Sequence, residues 1–162
     1  MQESVHESAV WDRVTAASRN AAEKAPAPAP IGPELLSALE RQQVIRQQYL
    51  SLRSRTGGEF RQSTQEVLRR NQAQIRTLSA LYFYLNGRRP ALTPASPAGT
   101  TREPAVESIR RLLREEELSM GRLESLAARS TGETRETLLL LSRQCRLQFQ
   151  ALLTLLGRAL EQ

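Results

Sequence analysis

The chain holds a single cysteine, a single histidine and a single lysine among its 162 residues. One cysteine excludes an intramolecular disulfide framework and fits a reducing compartment. The one histidine is His6, near the start of the chain. The helical part therefore has no imidazole to pair with Cys145, which excludes a Cys/His nucleophile there. Aromatic residues make up only 4%, which suits an aliphatic helical core better than a sheet. No run approaches the roughly 18 apolar residues that a membrane span needs. The opening stretch, MQESVHESAVWDRV, lacks a basic n-region and an apolar h-region, so it does not read as a secretory signal. A cytoplasmic location is the expectation. Glycine is sparse, and no phosphate-cradling loop occurs. Thr56-Gly57-Gly58 is too short for one and ends a helix rather than opening one.

What is present is arginine. All but one of the 23 basic residues are Arg, the exception being Lys24, and the net charge is +6. The excess is uneven. Residues 34–89 hold ten basic and four acidic groups, whereas residues 90–162 are nearly balanced. A basic half of this kind raises nucleic-acid binding as one function class. A solvated Arg/Glu/Gln helix surface accounts for the same charges.

Proline and glycine punctuate the chain. Residues 1–24 form an N-terminal arm or short helix with an apolar set, Val10, Trp11 and Val14. Residues 25–33, APAPAPIGP, are a stiff Pro/Ala spacer. Four helical segments follow. The first is expected from about Pro33 to Arg55, with Leu35, Leu39, Ile45, Tyr49 and Leu52 on one face. It stops at Thr56-Gly57-Gly58. The second runs from about Glu59 to Leu85 and stops at Asn86-Gly87. The third runs from about Ala105 to Ala128, with Ile109, Leu112, Met120, Leu123 and Leu126 inward. The fourth runs from about Glu133 to Leu160, with Leu138, Leu141, Phe149, Leu152 and Leu156 inward. Residues 88–104, RRPALTPASPAGTTREP, contain four prolines and form a crossover between hairpins 34–87 and 105–160.

The two hairpins repeat. SLRSRTGGEFRQ at 51–62 aligns without gaps on SLAARSTGETRE at 125–136, with six of twelve positions identical. The same offset maps Val67 onto Leu141, Ile75 onto Phe149, Leu78 onto Leu152 and Tyr82 onto Leu156. Two helical hairpins joined by one long crossover give the connectivity of ferritin-like bundles.

Counting from the turns exposes a polar layer. Gln42 lies 15 residues before Gly57 and Asn71 lies 14 after it. Glu116 lies 15 before Thr131 and Cys145 lies 14 after it. At about 1.5 Å per residue, all four sit roughly 21–23 Å from their turns. Gln74 and Gln148 follow three residues after Asn71 and Cys145, on the same faces. Gln42, Asn71, Gln74, Glu116, Cys145 and Gln148 are therefore expected to form one polar layer inside an aliphatic bundle. Glu116 needs a partner there, and Arg46 and Arg146 are the candidates. Amides in such a layer fix helix register.

On these features residues 35–160 resemble the ferritin-like superfamily, specifically its rubrerythrin-type members. The repeat, the crossover and RNQAQIRTLSALYFYLNG at 70–87 carry the resemblance. The last is similar to the helix on which Glu-x-x-His precedes a Leu-rich, aromatic end. Gln42 and Tyr49 are similar to the family's Glu-x6-Tyr. The resemblance implies an all-α four-helix bundle with a di-metal layer. It places Gln42 at the first Glu, Asn71 and Gln74 at the first Glu-x-x-His, Glu116 at the third-helix Glu, and Cys145 and Gln148 at the second Glu-x-x-His. Of these only Glu116 keeps its ligand type. Neutral amides cannot balance two di- or trivalent ions, so the expectation is no metal, no cofactor and no catalytic residue.

The functional expectation is a non-catalytic interaction or scaffold protein. A rubrerythrin-type redox protein with a non-standard metal site and an Arg-rich nucleic-acid binder are the alternatives. Trp11, Tyr82, Phe83 and Tyr84 are interface candidates, since exposed aromatics often mark contacts. The family analogy implies a homodimer through helix faces, the short apolar runs imply no membrane, and the protein partner of the scaffold reading is unidentified.

Overall fold

A computed structural model describes residues 30–94 and 103–161. The N-terminal arm with Trp11, most of the Pro/Ala spacer and the middle of the crossover lie outside the described residues. Within them the fold is all-α: α1 (Gly32–Ser54), α2 (Gly58–Asn86), α3 (Ala105–Ala128) and α4 (Gly132–Leu160). Each bound matches the sequence expectation or departs from it by a single residue.

Each helix follows from its spacing. Leu35, Leu39, Gln42, Ile45, Tyr49 and Leu52 are buried along α1 at intervals of three and four, the stripe of a core-facing helix. Pro33 stands in the first turn of α1 and Glu34 beside it, where a missing N–H costs nothing and a negative charge meets the helix dipole. At the end of α2, Gly87 takes φ 65°, a conformation glycine reaches without a Cβ penalty. Its N–H bonds the Phe83 carbonyl at 2.8 Å.

The sequence repeat is matched in the backbone. Arg55 and Arg129 end their helices at φ/ψ of −99°/−1° and −96°/1°. Gly57 and Thr131 are both extended, and Gly58 and Gly132 both take positive φ, at 55° and 57°. Even the turn hydroxyls agree: Thr56 Oγ1 bonds the Leu52 carbonyl and Ser130 Oγ the Leu126 carbonyl.

Neighbour relations define the bundle. α1 packs on α2 and α3, and α4 packs on α2 and α3, with no packing across either diagonal among the described residues. Glu34 pairs with Arg129, Arg41 with Glu115, and Arg55 bonds Ser108, so α1 and α3 are antiparallel. At the first residue of α1, Gly32 sits against Asn86, where an added Cβ would come within 2.7 Å of Asn86 Oδ1. α2 therefore ends where α1 begins, and α3 begins where α1 ends. The connection from Gly87 to Pro104 has the bundle's length to cover. Its described ends lie along α1: Thr93 bonds Glu40 and the Arg55 guanidinium bonds the Glu103 carbonyl.

The core is divided. One apolar cluster gathers Leu35, Leu39, Leu78, Leu81, Tyr82, Leu123, Leu126, Leu138 and Leu141. The other gathers Ile45, Leu52, Val67, Leu68, Ile109, Leu112, Leu152 and Leu155. Met120, Phe149 and Leu156 are only partly buried, packed against these clusters.

Candidate functional site

Between the two clusters along the helices lie Gln42, Asn71, Gln74, Glu116 and Gln148, with Cys145 at the edge of the first cluster, all six at 2% exposure or less. All six expected layer positions are thus buried, with at least one supplied by every helix. The Asn71 amide donates to Gln42 Oε1 at 2.7 Å, joining α2 to α1. Gln74 Nε2 reaches Cys145 Sγ at 3.6 Å, joining α2 to α4. Gln148 Nε2 donates to the Val67 carbonyl at 3.1 Å, a turn before Asn71. The Tyr49 hydroxyl donates to Glu116 Oε1 at 2.7 Å, joining α1 to α3.

The partner of Glu116 is therefore Tyr49, which corrects the expectation of Arg46 or Arg146. Arg146 lies on the outer seam and pairs with Glu124, one residue round the helix from the buried Cys145. Arg46 is half-buried and leaves its Nε without a partner. The clue to Tyr49 was its place seven residues after Gln42, on the same α1 stripe.

The electrostatics follow from burial. The Glu116 carboxyl is pushed up to about 7 by desolvation, against the downward pull of the Tyr49 hydroxyl and the Cys145 thiol. Burial, then the neighbouring Glu116, raises the Tyr49 phenol well above its usual range. The same two causes raise the Cys145 thiol, so Cys145 is held protonated and is no nucleophile. The adjacent Arg143 and Arg146 are exposed and do not offset its burial.

Three amide oxygens of the layer, Asn71 Oδ1, Gln74 Oε1 and Gln148 Oε1, accept no hydrogen bond from a described protein group.

A di-metal centre does not fit this donor set. It requires four carboxylates and two imidazoles, and the layer holds one carboxylate, one protonated thiol and neutral amides. No group of three or more His, Cys, Asp and Glu among the described residues could hold a metal ion.

The remaining singled-out residues separate. Tyr82 turns into the core at 6% exposure, whereas Phe83 and Tyr84 stand 53% and 72% exposed, with Leu85 beside them. Tyr84 borders a groove between α2 and α4 lined by Thr77, Ala80, Leu81, Thr134 and Thr137. Trp11 lies outside the described residues. On the surface, Arg41, Arg69, Arg70, Arg110, Arg111, Arg129 and Arg146 each pair with a glutamate. No helix among the described residues is long and apolar enough to cross a membrane. No family model, curated protein or solved structure matches the chain.

Proposed function

We propose that this chain is a ferritin-like bundle of rubrerythrin type whose di-metal layer has become a hydrogen-bonded polar layer, and that it works without catalysis, as an interaction or scaffold protein. The observation that supports this reading is the layer itself. Its six positions sit where the resemblance puts metal ligands, and its amides bond across the helices instead. Asn71 bonds Gln42, Gln74 bonds Cys145, and Gln148 bonds a main-chain carbonyl. Bonds of this kind lock register between helices. The exposed Phe83-Tyr84-Leu85 end of α2 is the face offered to a partner, a second copy of the chain being the simplest.

The test is metal analysis of the purified chain after incubation with Fe(II), Mn(II) and Zn(II) and desalting. Less than about 0.1 ion per chain is expected, because one carboxylate cannot neutralise such ions in a dry core. One or two ions per chain, lost in Glu116→Ala, would overturn the reading in favour of a redox metal protein.

A further inference from the structure

We infer that the groove between the end of α2 and the start of α4 is the seat of the chain's own N-terminal segment, with Trp11, Val10 and Val14 laid against Ala80, Tyr84 and Thr137. The inference rests on where the chain enters the bundle, and stands whether or not the bundle belongs to the ferritin-like superfamily.

The entry point is fixed. Ile31 is buried in the first apolar cluster, and its carbonyl accepts the Leu35 N–H at 2.9 Å. Pro30, the residue before it, lines a hollow with Leu85, Asn86 and Thr134. Thr134 also lines the α2–α4 groove. The hollow and the groove are therefore neighbours, and the chain comes in at the groove's own end. From there the groove runs from Tyr84 back to Thr77, seven residues or about 10 Å along α2. Ala80, Leu81, the Tyr84 ring and threonine methyls give it apolar walls. Tyr84 stands 72% exposed beside it, and an exposed aromatic at a groove marks a contact.

The segment that precedes Pro30 suits this seat. It is 29 residues long and holds the chain's one tryptophan, Trp11. Val10, Trp11 and Val14 recur at the spacing of a single helix face. A stretch this short has no core of its own, and a tryptophan has about 150–250 Å² to bury. The spacer at residues 25–30, APAPAP, extends by about 3.1 Å per residue, and the ten residues between Val14 and Ala25 give the slack to return. Such a tether holds the segment near the groove at an effective concentration of about millimolar. A free second copy competes poorly with that. Charge agrees: residues 1–24 hold four acidic and three basic groups, against ten basic and four acidic over residues 34–89. Phe83 lines neither the hollow nor the groove, so it stays open to a second copy while the segment is seated.

Because Trp11 is the one tryptophan, its fluorescence in the full chain reads the seat directly. Emission should lie to the blue of the urea-unfolded chain, and acrylamide should quench it at least about threefold less efficiently. Ala80→Arg and Thr137→Arg each push a long charged side chain into the groove, one from α2 and one from α4. Ala80 is exposed, so its variant should keep the helical circular dichroism of the wild type. Each variant should make Trp11 as quenchable as in urea. Equal quenching in the native and unfolded wild type would overturn the inference. Protection that survives both arginines would also overturn it, by seating Trp11 elsewhere. Ala80→Arg mixed with Trp11→Ala should stay quenchable; protection regained on mixing would give the groove to a neighbouring copy's segment and sink the inference. Sedimentation is read separately and decides the pairing of two copies, not this seat.

Discussion

Replacing Glu116 with Gln should flatten part of the pH dependence of stability, and the size of the effect can be worked from the structure. The carboxyl titrates at about 7 in the fold against an ordinary 4.5. Between those values the folded chain keeps a proton that the unfolded chain has released. Stability from this group is therefore fully present below about pH 4.5, falls as pH rises, and is lost above about 7. At about 1.4 kcal/mol per pH unit, the loss is about 3 kcal/mol. Gln keeps the oxygen that accepts from Tyr49 and carries no proton to lose. Urea unfolding of both proteins, followed by helical circular dichroism from about pH 4.5 to about pH 8, isolates the effect as a difference. The two should be nearly equal near the acid end, and the variant more stable by about 3 kcal/mol near the alkaline end. A difference that stays constant across the range would refute the claim that Glu116 is desolvated and protonated in the fold.

Tyr49→Phe removes the one hydroxyl bonded to that carboxylate, and should cost about 1–3 kcal/mol at about pH 8 and much less at about pH 5, by the same unfolding assay. Leu39→Ala and Leu112→Ala should each cost about 2–5 kcal/mol. Since they lie in different clusters, their double mutant should show the sum of the two losses. Gly58→Ala and Gly132→Ala both place a Cβ at positive φ, so each should destabilise by about 1–2 kcal/mol, and by similar amounts. On the proposed pairing of two copies through the exposed Phe83-Tyr84-Leu85 face, sedimentation should show the wild type as a dimer and Tyr84→Ser as a monomer with the same helical circular dichroism, and a monomeric wild type would remove the pairing.

Much of this was readable before any coordinates, for a simple reason. A helix rises by a fixed step, so counting residues from two tight turns placed Gln42, Asn71, Glu116 and Cys145 at one height, and all four are buried there. The repeat was readable because turns have strict backbone demands: Gly58 and Gly132 occupy the same left-handed conformation. What counting cannot supply is azimuth. Arg146 lies close to the right height but faces outward, and Arg46, though half-buried, does not reach Glu116; only the relative rotation of the helices decides this. Tyr49 won the contact with Glu116 because it lies on the α1 stripe itself. The pairing of Asn71 with Gln42, rather than with Gln148 or Glu116, has the same origin. Partial exposure of Met120, Phe149 and Leu156 likewise depends on how far neighbouring helices close over them.

The division of the core has a mechanical consequence. Two apolar plugs are stacked along the bundle with a hydrogen-bonded polar layer between them, so the four helices are clamped twice rather than once. Loosening one plug leaves the other gripping the same four helices. Whichever end is loosened, the far cluster still draws on all four helices and keeps them in register.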